Sequence, residues 1–106
     1  MRILIDECLN WRLGRALTGH YAIAAAKMGW AGLANGNLLA EAEKQFDVFI
    51  TGDRNLSFQQ NVTRYKIAVL VLHAASTQFH HTLALVPKIL SLLHTLQPGT
   101  VTNVYP

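Results

Sequence analysis

Only six of the 106 residues are acidic, and their placement is uneven. Asp6 and Glu7 follow the apolar run 2–5 directly, and Asp53 lies just past the run 47–51, beyond Gly52. Carboxylates gathered in one crevice repel one another unless a cation neutralises them. A hard divalent ion such as Mg2+ or Mn2+ does so, through one or two carboxylates with retained waters. The chemistry this opens is metal-assisted attack on a phosphodiester. Glu41 is a further candidate ligand, about one turn into a helix expected over 38–45. The competing use of Asp6, Glu7 and Asp53 is as solvated loop acids or helix caps. Asp47 opens its run and belongs at the opposite end, while Glu43 points to solvent.

The basic and amide side chains offer substrate contacts. Arg54, directly after Asp53, could hold a substrate phosphate or pair with a neighbouring carboxylate. Arg12 and Arg15 are three apart on one helix face. They could track an RNA backbone, where contacts position the strand without specifying sequence, or form a solvated face. Asn10 and Asn55 orient water or metal ligands, or cap helices. Trp11 and Trp30 could stack bases, Trp30 in its glycine-rich loop being the better placed, though a tryptophan also plugs a core or a dimer contact.

Zinc chemistry finds no support. The five histidines, His20, His73, His80, His81 and His94, lack paired ligand spacing. Cys8 has no obvious activating base and reads as a small buried residue rather than a nucleophile.

These residues need a scaffold, and the chain alternates apolar runs with helical stretches. Strands are expected at 2–5, 20–26, 47–51, 67–72 and 100–105. Helices are expected from Asn10 to about residue 17, over 38–45, and from 78 to 96, where Pro87 kinks or splits the segment. Residues 27–36 form a loop, and 56–65 a short helical or irregular piece. Asn35 or Asn37 could cap the second helix. Strands separated by helices predict an α/β fold with a mostly parallel sheet of about five strands and helices on both faces. In such sheets the ligand site lies beyond the carboxyl ends of the strands, which is where Asp6, Glu7 and Asp53 fall.

Composition bounds the class. The length suits one domain. Apolar residues make 51% of the chain and charged residues 14%, which excludes intrinsic disorder. No apolar run approaches the roughly 20 residues of a membrane-spanning helix. The Asp-Glu pair comes too early for a signal peptide, and a single cysteine makes no internal disulfide, so a small cytoplasmic domain is expected. The formal net charge of +3 fits a polyanionic partner. The apolar stretch 83–96 is expected to be buried by the sheet and by a second subunit.

The wording of the chain resembles a bacterial family of small PIN-like proteins. Ile3-Leu4-Ile5-Asp6-Glu7-Cys8-Leu9, Gly19-His20, and Gly32-Leu33-Ala34-Asn35-Gly36-Asn37-Leu38-Leu39 carry the likeness. So do Asp47-Val48-Phe49-Ile50-Thr51-Gly52-Asp53-Arg54-Asn55-Leu56 and Gln59-Gln60-Asn61. Some members of that family look like toxins of VapBC type. The resemblance implies a PIN-like three-layer fold, an acidic pocket at the carboxyl edge, and Mg2+- or Mn2+-dependent ribonuclease activity. It also implies a homodimer held inactive by a small antitoxin, often one with a helix-turn-helix.

Carried over, Asp6 and Asp53 would be metal-binding acids with Glu7 beside them. The chain departs from the pattern at Asn35 and Asn37, where the family reads Ser-Asp-Gly-Glu-Leu-Leu or similar. An amide can coordinate through its carbonyl oxygen but adds no charge, and Glu41 could replace the missing one.

Three functional readings follow. The first is a metal-dependent ribonuclease toxin, with Asp6, Asp53 and Glu7 catalytic, Asp6, Asp53 and Glu41 on the metal, and Arg54, Arg12, Arg15 and Asn55 on substrate. The second is a catalytically degenerate PIN-like protein that binds a partner protein or RNA. The third is a phospho-receiver-like domain, disfavoured because no lysine follows Lys88 and Asp53 sits past a glycine, although Ser76 could serve after the fourth strand.

Overall fold

The structure is a computed structural model and describes residues 1–106. The five apolar runs become five short strands: β1 (Arg2–Ile5), β2 (Tyr21–Ala24), β3 (Val48–Thr51), β4 (Ala68–Leu72) and β5 (Val101–Val104). They pair in parallel throughout, in the order β2-β1-β3-β4-β5. β3 and β4 are buried along their whole length, as expected of central strands covered on both faces. The α/β fold expected from the alternation is therefore the one observed.

Alternation of side chains along each strand separates two cores. Ile3, Ile5, Val48, Ile50, Leu70 and Leu72 face one side, under α1 (Leu13–Ala16), α4 (Phe79–Leu83) and α5 (Val86–Leu92). Leu4, Phe49, Val69 and Val71 face the other, under α2 (Asn35–Ala42) and α3 (Leu56–Gln59). Pro87 divides the long C-terminal segment as expected, falling in the first turn of α5, where its missing N–H costs nothing.

The crossovers do not all have one hand. β1 steps to β2 under α1, and β2 then steps back across β1 to β3 on the opposite face; β3 to β4 continues that way on the same face. These three share one hand, and parallel crossovers are right-handed in about 98% of cases. β4 steps on to β5 in the same direction, but α4 and α5 lie on the first face, so this last connection has the other hand.

Several boundaries differ from the sequence expectation. β2 ends at Ala24 because Ala25, which is buried, begins a 3-10 turn over Ala25–Met28. The helix expected from Asn10 shrinks to one turn; the Asn10 side chain still accepts the Arg12 N–H at 2.9 Å and turns the chain into it. α2 starts at Asn35, three residues earlier than expected, after an extended Ala34 and without a side-chain cap. No helix is long and apolar enough to cross a membrane.

Candidate active site at the carboxyl edge

In the order 2-1-3-4-5 the chain reverses direction between β1 and β3, and a crevice forms outside their carboxyl ends. Ile5 is in register with Ile50, so Asp6 and Thr51 leave the sheet side by side. The Asp6 N–H donates to the Ile50 carbonyl at 2.9 Å, which fixes that residue at the rim.

A chain of hydrogen bonds then joins the two aspartates. The Thr51 hydroxyl donates to Asp6 Oδ2 at 2.6 Å, and Thr51 Oγ1 in turn accepts the Asp53 backbone N–H at 3.0 Å. The other Asp6 oxygen accepts the Glu7 N–H at 2.8 Å. Asp53 accepts the Asn55 N–H at 3.0 Å through Oδ1 and the Asn35 side-chain amide at 3.3 Å through Oδ2.

Asp6 is the one carboxylate in the buried set, at 7% exposure, and Thr51 is fully buried. Gly52, between Thr51 and Asp53, is crowded: an added Cβ would lie 3.0 Å from Thr77 Cγ2 and 3.3 Å from Leu9 Cδ2.

Cys8, expected as a small buried residue, is instead exposed at the rim, because the chain turns outward directly after Asp6. Its Sγ lies 3.5 Å from Asp6 Oδ2 and 3.8 Å from Thr51 Oγ1. Burial pushes the thiol's pKa up, and the nearby Asp6 charge adds to that rise. The thiol therefore stays protonated at neutral pH and donates to Asp6, consistent with a supporting residue rather than a nucleophile.

The remaining expected site residues are placed differently. Glu7 turns away from the pair, and both of its oxygens accept the Gly32 N–H at 3.2 Å. It thereby holds the loop that leads into α2, at a glycine whose φ of +83° disfavours other residues. Glu41 lies six residues beyond Asn35, roughly 9 Å along the helix axis at 1.5 Å per residue. Its carboxylate faces Lys44 at 3.5 Å, in the only ion pair of the structure. Because α2 begins early, Glu41 falls in its last turn rather than its first.

Arg54 sends one guanidinium nitrogen to the Ala74 carbonyl at 2.6 Å, joining the ends of β3 and β4. Asn37 is exposed, two positions after Asn35. Arg12 and Arg15 both lie over the Trp11 ring, at 5.1 and 4.6 Å from its centroid. Asp47 is at the opposite edge, accepting the Arg2 N–H at 2.8 Å, and the Glu43 carboxylate accepts the Lys66 N–H at 3.2 Å. Ser76 is taken up by His81, at 2.7 Å, in the turn before α4.

Thr51 is the residue that sequence reasoning passed over. Its signal is a hydroxyl at the carboxyl end of an otherwise apolar strand, directly before the Gly-Asp pair.

The oxygen groups free to meet a cation are the two carboxylates; the buried Thr51 hydroxyl is spent on Asp6 and the Asp53 N–H, and the Asn35 amide turns its nitrogen to Asp53. An ionised carboxylate offers about four acceptor positions; Asp53 uses two of them and Asp6 has three donors around it. No group of three or more His, Cys, Asp or Glu side chains converges anywhere in the chain. Two carboxylates fit the Mg2+ pattern, in which waters and substrate phosphate oxygens complete the coordination. No family model, curated protein or solved structure matches this chain.

Proposed function

We propose that this protein is a Mg2+- or Mn2+-dependent ribonuclease of PIN-like type, the toxin half of a VapBC-type pair. The observation that carries the reading is the Thr51 bridge. A buried hydroxyl ties Asp6 and Asp53, 47 residues apart in sequence, into one unit at the sheet's reversal point. The hydroxyl meets the Asp6 carboxylate on one side and the Asp53 backbone N–H on the other, so the backbones that carry the two acids are held together.

Asp6 and Asp53 would hold the cation; the Asn35 amide, whose nitrogen faces Asp53, would add its carbonyl oxygen as a neutral donor only by turning over. A bound divalent ion lowers the pKa of its water and stabilises charge developing on a phosphodiester. Thr51 and the Glu7 N–H fix Asp6, so no rearrangement of that carboxylate is needed at the moment of reaction. Arg54, anchored through one nitrogen, presents its remaining N–H donors to a phosphate. Glu7 acts at a distance, through the loop it holds. A small antitoxin and a second copy of the chain are the partners this reading implies.

The test is digestion of single-stranded RNA by the parent and by Asp6→Asn, in Mn2+ and in EDTA. The parent cleaves only with metal, and the substitution lowers the rate at least about 100-fold, since it removes charge from the metal and not merely a supporting contact. Equal rates for parent and variant would remove Asp6 from the mechanism.

A second reading has one specific observation behind it. The Asn35 amide nitrogen occupies Asp53 Oδ2, so the acidic pair is partly satisfied by the protein itself. On that reading the domain binds a partner without catalysis. A parent that fails to cleave, alongside an Asn35→Asp variant that does, would establish it.

A further inference from the structure

One strand over from Asp6, the carboxyl edge carries a basic and aromatic groove that the metal chemistry does not use. Ala24, the last residue of β2, is in register with Ile5, the residue before Asp6. Beside it opens a groove of about 470 Å3 lined by Trp11, Arg15, Ala24, Ala26 and Lys27. A second hollow of about 220 Å3 continues it past Ala22 and Ile23 along the free edge of β2.

Trp11 is 46% exposed, and the Arg12 and Arg15 guanidiniums lie over its ring. Beyond that ring contact these cations are unpaired, as are Arg64 and Lys66 away from the groove. Elsewhere Arg2 donates to the Gln45 carbonyl, Arg54 to that of Ala74, Lys88 to that of Tyr105, and Lys44 pairs with Glu41. Arg12, Arg15 and Lys27 have no carboxylate within ion-pair distance, and no acid lines either hollow.

We infer that this groove is a base-stacking and phosphate-binding subsite for single-stranded RNA. Its chemistry is specific in two respects. Flat indole and guanidinium surfaces take the faces of unstacked bases, and the two lining cations, Arg15 and Lys27, with Arg12 beside Trp11, take the backbone between them. The alanines that line it leave open space where larger side chains would fill it. An acidic peptide would satisfy the cations but leave the planar stack unused. The inference deepens the ribonuclease reading and rests on it for the identity of the polymer. A strand lying in the groove would run on toward Asp6.

Binding is measured in EDTA, so that cleavage plays no part, by fluorescence anisotropy of a labelled oligouridine strand. The parent binds, and Trp11→Ala weakens affinity roughly 10-fold or more while Trp11→Phe retains most of it. Arg15→Glu and Lys27→Glu weaken it and each lowers the salt dependence by about one ion. Lys66→Glu, at the opposite edge of the sheet, leaves affinity unchanged. Far-UV circular dichroism on each variant separates lost binding from lost fold. In a Trp30→Phe background, quenching of the remaining Trp11 fluorescence on RNA addition reports the stack directly.

A parent that does not bind oligouridine overturns the subsite. So does a Trp11→Ala or Arg15→Glu variant that binds like the parent, or an oligoglutamate that binds as tightly as RNA. If the binding pattern holds and Mn2+ produces no cleavage, the nuclease reading fails and the groove stands. If cleavage occurs and the groove variants bind normally, the groove fails and the nuclease stands.

Discussion

Thr51 is where the candidate site is most exposed to a single change. Its hydroxyl gives one proton to Asp6 and takes one from the Asp53 backbone, in a position with no water contact. Thr51→Val keeps the volume and removes both bonds, leaving a carboxylate oxygen and an N–H each short of a partner. The expected cost is about 1–3 kcal/mol, or a fall in melting temperature of roughly 4–20 °C for a domain of this size. Thr51→Ser restores the hydroxyl and should recover most of it, which calorimetry of the three proteins would show. Such a role was not legible in the sequence, because a threonine at a strand end is also an ordinary β-former. Asp6 and Asp53 were legible, because acids are scarce here and the strand-end rule selects them.

Cys8 gives a pH dependence at the same scale. Burial disfavours its thiolate, so its pKa lies above the ordinary value in the folded chain. The folded state then holds the proton more tightly than the unfolded one. The associated stabilisation is complete below the ordinary thiol pKa and declines as pH rises through the raised value. Alkylation by iodoacetamide at neutral pH should therefore be slower than for an unfolded control, and should accelerate once the chain is denatured. Equal rates would show that Asp6 and its surroundings do not hold the thiol neutral.

At the scale of elements, α2 decides what the acidic pair meets. Its sequence start, Ala-Asn-Gly-Asn, is poor in helix formers and has no side-chain cap, which is why the sequence places the helix three residues late. Packing overrides propensity: Leu38, Leu39 and Ala42 are buried against the second face. The Leu38 N–H bonds the Ala34 carbonyl at 2.9 Å and closes the extra turn. The shift brings Asn35 to Asp53 and carries Glu41 away.

Asn35→Asp is the corresponding experiment. It replaces a donor to Asp53 with a like charge, so the metal-free protein should lose about 1–2 kcal/mol of stability. Mn2+ should restore it, with a larger rise in melting temperature than the parent shows, since a third carboxylate strengthens the site. An equal metal response in both proteins would place the cation away from Asp53.

For the whole molecule, the two apolar cores and the candidate site occupy different parts of the fold. The folded state rests on the two cores, while the acidic pair and the Trp11 groove sit on the carboxyl rim that the cores hold in place. The five strands and their parallel arrangement could be read from the apolar runs. The reversed hand of the β4–β5 connection could not, because helical periodicity says which side of a helix is apolar but not which face of the sheet it covers.

That connection makes α5 a sensitive place. Ile89 is fully buried where α5 covers the first face, and Ile89→Ala should cost about 2–5 kcal/mol through lost transfer energy and the cavity left behind. Total stability is only about 5–15 kcal/mol, so this variant should melt far below the parent. Phe58, 87% exposed beyond Asp53 on α3, should change stability by no more than about 0.5 kcal/mol when cut to alanine. If thermal unfolding shows this contrast, a rim substitution such as Asp6→Asn that abolishes cleavage without a matching fall in melting temperature has removed chemistry rather than fold. If instead Phe58→Ala destabilises as much as Ile89→Ala, the rim is part of the core, and loss of activity at Asp6 would no longer separate the two.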